Sequence, residues 1–490
     1  MTAVDWAVIG AYGLVVLLLG RLADGRSNSE TDYFLAGRKL GPIQVAGSTW
    51  ATKLSALTFI GVPGAAIAGN FTYVQLWLGS FFAAYIVAVI LIPEFYRLQV
   101  PTIYTYLGRR LGPWSQISGS AIFIVSRCLA SAVRLAGCAI AVSVFFDLAL
   151  MEAIVIISGV AAVYVLAGGL RAVIWTDILQ LALFLFGALT VILFVVFKLP
   201  GGFVEIVETG IAADKFHVFD FRFDVADPAT FWTGNIFAFV LGLATGGADQ
   251  DIAQRALACP NARHARTALI WAGAADLFST ILFLSAGAAV FAYYQAFPDT
   301  AATALALDNR HDYVFPLFIR HELPAGLRGA LVAALLAAAM SSLDSALSGL
   351  SSSAYFDLGR PSATSEKQNL VWPRVLVIVF ASVLALIAIG FGRQPSILWF
   401  GLQIMGFTYG GLLGLFLIAL FLRSFADDLA SVIAAFSSIV IVVVLTQWGV
   451  GFDSPPVPWP WAVVIGTTST CLIALLVSAV RKRLARQRST

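Results

Sequence analysis

Ser341, Asp344, Ser345 and Ser348 fall at i, i+3, i+4 and i+7 in the apolar stretch AAAMSSLDSALSG (337–349). That spacing predicts one polar stripe on a helix, with Ala338 a turn earlier on the same face. Three hydroxyls and a carboxylate, without imidazole or thiolate, suit a hard cation rather than a transition metal. Asp177 could add another oxygen or pair with Arg171 or another interfacial base. Arg127 and Arg134, seven residues apart, share a face of one predicted helix, and Lys53 stands in the middle of another apolar segment. Cations in such surroundings either pair with aspartates or hold an anionic group of a solute, and the planar fork of arginine suits a carboxylate. The four histidines (His217, His264, His311 and His321) lie in predicted loops, which favours a metal cation over protons as a coupled ion. Carboxylate-based proton coupling stays open through Asp177, Asp249, Asp276 and Asp344.

The elements that must position these groups are set by composition. Of 490 residues, 60% are apolar and 12% charged, and the apolar ones form blocks long enough to cross a hydrocarbon core about 30 Å thick. A water-soluble fold is excluded, and so is a porin-like barrel, whose strands would alternate. The net charge of +3 is spread along the chain and implies no nucleic-acid partner. The expected fold is an all-α, multi-pass protein of the cell membrane (plasma or inner). Its thirteen transmembrane helices are predicted at 4–21, 44–69, 72–96, 116–146, 150–169, 172–198, 231–255, 266–295, 326–352, 371–391, 395–421, 427–449 and 458–480.

An N-out, C-in orientation places twenty of the thirty lysines and arginines inside, Arg255 among them, and seven outside, including Lys215. The exterior segments 199–230 and 296–325 can hold surface helices, with 312–322 reading as a helix interrupted by Pro316. The first apolar block lacks the features of a removable signal peptide. Cys128, Cys138, Cys259 and Cys471 lack metal-ligand spacing and read as packing residues. Residues 1–490 are expected to form a single transmembrane domain.

Two spans depart from ordinary lipid-facing helices. The second carries Lys53, then Gly61, Pro63 and Gly64; the seventh carries Gly242, Gly246 and Gly247, then Asp249 and Asp251. Unwound backbone at membrane depth survives only when buried in protein or lining a polar cavity. These two spans lie five apart, so they cross the bilayer in opposite directions. The expectation is a five-plus-five inverted repeat of spans 2–6 (about 44–198) and 7–11 (about 231–421), with a site where the broken helices meet. The spans at 4–21, 427–449 and 458–480 are extra to it.

The motifs DYFLAGRK (32–39), SALTFIGVPG (55–64), LAGGLRAVIWTDILQ (166–180), GGADQDIAQR (246–255) and AAAMSSLDSALS (337–348) resemble, in order, those of the sodium:solute symporter family. That resemblance implies a LeuT-type fold and alternating-access symport, with sodium co-transported and no organic cofactor. It implies a main sodium site at the carbonyls of Ala51, Leu54 and Ala338 and the hydroxyls of Ser341 and Ser342. A possible second sodium falls on Asp177, Ser341, Asp344 and Ser345, although a serine is commoner where this chain has Asp344. Substrate contacts carried over by position are Lys53, Thr58, Gln75, Arg134 and Asp249. Lys53 departs from the family's usual neutral or acidic residue; it could bind a substrate carboxylate, or its ammonium could replace the ion. The expected function is sodium-coupled symport of a small organic solute, carboxylate-bearing as a first expectation. The alternative is a proton-coupled or sodium-independent carrier on the same fold. A membrane sensor fits less well, because only ten residues follow the last predicted span. An enzyme is not expected, since no nucleophile, base or phosphate-loop constellation is present.

Overall fold

The computed structural model describes residues 1–23, 34–55, 57–167, 170–358, 371–391, 396–448 and 457–489. The first two residues of the motif at 32–39 and the glycine pair at 168–169 lie outside these residues. The described part is helical throughout, without strands. Nine helices are long and apolar enough to cross a membrane, and the count is eleven when two bent pairs are each taken as one span. Two shorter apolar helices, Ala3–Val16 and Leu150–Val163, add to these.

In chain order the helices are α1 (Ala3–Ala23), α2 (Pro42–Lys53), α3 (Leu57–Ala68), α4 (Phe71–Arg97), α5 (Ile103–Arg110), α6 (Pro113–Phe146) and α7 (Leu150–Ala167). They continue with α8 (Leu170–Lys198), α9 (Gly202–Ala212), α10 (Phe231–Gly247), α11 (Gln250–Leu257), α12 (Ala262–Ala296) and α13 (Thr300–Leu307). The remainder are α14 (Val314–Glu322), α15 (Leu327–Leu358), α16 (Val371–Phe391), α17 (Ile397–Leu422), α18 (Asp428–Val443) and α19 (Ala462–Ser489). The bent pairs are α2 with α3, at 58°, and α10 with α11, at 55°. Both breaks have local causes. Leu54 takes an extended conformation (ψ 125°) at the end of α2, and Pro63 lies two residues into the regular α-helical part of α3. Asp249 is extended (ψ 119°) and its carboxylate accepts from the Asp251 amide at 2.9 Å, capping α11.

Burial sorts the helices. The most apolar windows of α6 and α15 are 72% and 82% buried, against 28% for α16, so α6 and α15 form the centre and α16 the periphery. Close approach of backbones holds the two bent pairs to their neighbours. A Cβ on Gly79 of α4 would lie 2.4 Å from the Asn235 carbonyl oxygen of α10, and one on Gly287 of α12 would lie 2.4 Å from the Pro63 carbonyl oxygen. Without a hydrophobic driving force in lipid, such small-residue contacts are what let helices associate.

The connections between the spans differ from the sequence reading in two places. Pro316 does not interrupt α14, because it falls in the first turn, where an amide would have no helical partner. His264 and His321 lie in helix ends rather than loops. Lys215 is buried after α9, where its Nζ donates to the Ile67 and Gly69 carbonyls at 2.7 and 2.8 Å, capping the end of α3.

Asp312, in the connection before α14 and outside the spans, accepts from the Ile397 amide at 2.6 Å and lies against Gly64. Burial pushes its carboxyl up from 3.8 to about 6. Between these values the folded protein binds more protons than the unfolded chain, so stability falls as pH rises through the window. At ~1.4 kcal/mol per pH unit the change approaches ~3 kcal/mol. Thermal unfolding in detergent from about pH 4 to 6 should show this slope in the native chain, and Asp312→Asn should remove it.

Candidate sodium and substrate sites

The first break lies against the middle of α15. Thr52 Oγ1 is 3.5 Å from Ser345 Oγ. The Ser55 amide, which would close the Ala51 carbonyl in a continuous helix, faces the Thr58 hydroxyl instead at 3.4 Å. Helix ends leave carbonyls without internal partners, and here that end meets α15, where Ser341 and Ser342 are buried. Ser342 Oγ makes no hydrogen bond among the described residues, and Ser341 Oγ donates to Asp177 Oδ1 at 2.5 Å, which leaves its lone pairs available. The Ala338 side chain lies outside the described residues, although the position is on α15.

Next to this region is a buried charge network centred on a residue that sequence reading had put in the cytoplasm. Arg255 of α11 is 1% exposed. Its Nη1 donates to Asp251 Oδ1 at 2.6 Å, its Nη2 to Asp177 Oδ2 at 3.1 Å and to Ser345 Oγ, and its Nε to Ser48 Oγ at 2.9 Å. Ser48 also donates to Asp177 at 2.5 Å. Asp177 therefore pairs with Arg255; the Arg171 side chain lies outside the described residues. Charge count along the chain is a poor guide here, because α11 is a half-helix that turns inward at the break. The available signal was the i, i+4 pair Asp251 and Arg255, one face of QDIAQR. Two of the four second-site candidates, Asp177 and Ser345, thus receive the guanidinium. Both carboxylate oxygens of the buried Asp344 make no hydrogen bond among the described residues.

The second half of the network lies on α6. Arg127 pairs with Asp249 at 3.2 Å and with Asp251, and the Tyr409 hydroxyl of α17 donates to Asp249 Oδ2 at 2.7 Å. Asp249, which also caps α11, is fully engaged.

Between the two breaks is a cavity of about 230 Å³, lined among others by Lys53, Thr58, Arg134, Asp249, Tyr73 and Asp276. Four of the five expected substrate contacts line it. Gln75 does not: its Nε2 donates to the Ala229 carbonyl and its Oε1 accepts from the Asp220 amide at 3.2 Å, tying α4 to the connection before α10. Arg134 keeps Nε and Nη1 buried without a hydrogen-bond partner. Asp276 lies within charge reach of Lys53 without forming an ion pair with it.

A helical bundle whose two bent pairs meet at a charged internal cavity, beside a helix of buried hydroxyls, defines a secondary transporter of the broken-helix class. The model of the sodium:solute symporter family matches residues 33–434, and the chain belongs to that family. It is 28% identical to the sodium/sialic acid symporter SiaT of Proteus mirabilis, over 90% of this chain and 89% of the relative. It is 26% identical to human sodium-coupled monocarboxylate transporter 1, over 93% and 75%. A solved sodium-coupled sialic acid symporter in a substrate-bound outward-open state matches with a TM-score of 0.86 and 27% identity over 98% of each chain. A nucleobase-cation symporter in a closed conformation, at 14% identity and TM-score 0.61, shares the fold. The protein is a sodium-coupled, multi-pass membrane transporter and not an enzyme.

Proposed function

We propose that the chain imports a small carboxylate-bearing solute with sodium by alternating access. The observation that carries this reading is Arg134, a half-buried arginine lining the cavity whose Nε and Nη1 are buried without a partner among the described residues. A guanidinium in the bundle without an anionic partner is costly, and a solute carboxylate at the cavity supplies the acceptor it lacks. Two relatives, a sialic acid symporter and a monocarboxylate transporter, are consistent with an acidic solute.

In this reading sodium is held by the Ala51, Leu54 and Ala338 carbonyls and the Ser341 and Ser342 hydroxyls, tying α2 to α15 and completing the wall of the cavity. Release to low internal sodium separates them. Asp344, buried and without a hydrogen-bond partner among the described residues, supports a second sodium nearby with Ser341 as a shared ligand, whereas Asp177 and Ser345 already hold the Arg255 guanidinium. Lys53 belongs to the substrate chamber, facing Asp276, rather than to the ion site. Gln75 is left out of the pocket because both ends of its amide are engaged elsewhere. The finer architecture we propose is thirteen spans, N-out and C-in. Repeat one covers about 44–198 and repeat two about 231–421, each opening with one of the bent pairs.

Sodium activation of uptake in proteoliposomes tests the ion site. Ser342→Ala removes a neutral ligand without disturbing another hydrogen bond, and should raise the sodium concentration for half-activation about tenfold, the order of one lost hydrogen-bonding group. Unchanged sodium activation would remove Ser342 from the site.

A further inference from the structure

The charged groups around the cavity divide into engaged and free. Arg127 and Asp249 are engaged, with each other and with Asp251 and Tyr409. Arg134 of α6, Lys53 of α2 and Asp276 of α12 line the same space, and none of the three makes an ion pair among the described residues. Two free cations and one free carboxylate, carried by three different helices, therefore face a cavity of about 230 Å³. Asp276 offsets Lys53 only across a gap and Arg134 has no anionic partner, so opposite charges of a solute at matching places would complete the compensation, and the wall is a template of the solute's own charges. Its complement carries two anionic groups and one cationic group.

We infer that the solute is an acidic amino acid: one carboxylate on Arg134, the second on Lys53, and the ammonium on Asp276. The inference rests on the carboxylate reading above and narrows it. Size agrees, because the cavity lies below the ~300–1,000 Å³ typical of sites for drug-sized ligands and admits a solute of a few carbons. Chemistry separates the two cations. The arginine fork holds a carboxylate in two parallel hydrogen bonds, whereas the lysine is a point charge on a flexible stem that follows a side-chain carboxylate at variable reach. Asp276 has a double function: with the cavity empty it offsets Lys53 across the gap, and with solute bound it receives the ammonium. A monocarboxylate would leave Lys53 unmatched by solute, and a dicarboxylate without the amine would bring two negative charges to a wall that already has one.

The test uses the purified full chain and measures thermal stabilisation and competition in sodium. The probes are L-glutamate and L-aspartate, set against L-glutamine, glutarate and lactate, each of which lacks one or more of the three charges. An acidic amino acid should bind at least about tenfold more tightly than any of the others, the scale of discrimination when a site's buried polar groups are left unpaired. Lys53→Met should lose that preference and bind L-glutamine as well as L-glutamate. Asp276→Asn should shift preference to glutarate. These exchanges of preference are gains of binding, so a misfolded variant cannot imitate them, and stabilisation by sodium alone reports the fold of each variant. Lactate binding as tightly as L-glutamate, no response to acidic amino acids in protein that responds to sodium, or preferences unchanged in both variants would overturn the inference and leave the carboxylate reading standing. Binding of a neutral sugar with no carboxylate bound at all would overturn both.

Discussion

Arg134→Gln is expected to abolish sodium-driven uptake of a carboxylate solute while leaving stabilisation of the protein by sodium intact. The guanidinium faces the cavity, unpaired, and makes no hydrogen bond that the fold depends on. Glutamine keeps similar bulk and polarity but loses the charge and the fork. The loss of a charge-assisted bidentate contact is worth ~2–4 kcal/mol, or roughly 30- to 1,000-fold in affinity. Arg134→Lys should recover little, because an ammonium cannot make the two parallel bonds. Radiolabelled uptake in proteoliposomes, paired with sodium-dependent thermal shift, separates the two effects. Retained uptake at normal affinity would remove Arg134 from the substrate site, and loss of the sodium response as well would mean a structural role.

The second large effect should come from Arg255, and should fall on the fold. Its guanidinium ties together α2 through Ser48, α8 through Asp177, α11 through Asp251 and α15 through Ser345. Arg255→Met leaves Asp177 buried with only the Ser48 and Ser341 hydroxyls, and leaves Asp251 sharing Arg127 with Asp249. Breaking a buried ion pair from one side costs ~3–5 kcal/mol. The expected result is a marked drop in unfolding temperature in detergent and little monodisperse protein. Asp177→Asn combined with Arg255→Met removes the uncompensated charge and should regain part of the loss. The double variant should nonetheless respond less to sodium, since the hydroxyl of Ser341 loses the carboxylate that orders it. If the single variant unfolds at the native temperature, Arg255 does not hold the four helices together.

Much of the fold was legible in the sequence for a local reason. Whether a segment can enter lipid depends on its own composition, so the apolar blocks gave the helices, and glycine, proline and the aspartates gave both bends within a few residues. The polar stripe on α15 was equally legible, because i, i+3, i+4 and i+7 share a face whatever packs against it. Pro316 misled because its effect depends on its place in the helix, which is fixed only by where α14 begins. The partners of Gln75 were not legible, because position along a helix does not say which neighbour captures an amide.

What the chain alone determined is therefore the class of molecule: a helical membrane protein with two broken helices and a row of oxygen donors. Only the tertiary structure decided which charges are already paired. Asp177 and Arg255 are 78 residues apart, and Arg127 and Asp249 are 122 apart. No periodicity spans such distances, and opposite charges on any two helices could have met. The packing of α6, α11, α15 and the first break selects those pairs, and in doing so leaves Arg134, Lys53 and Asp276 unpaired around the cavity.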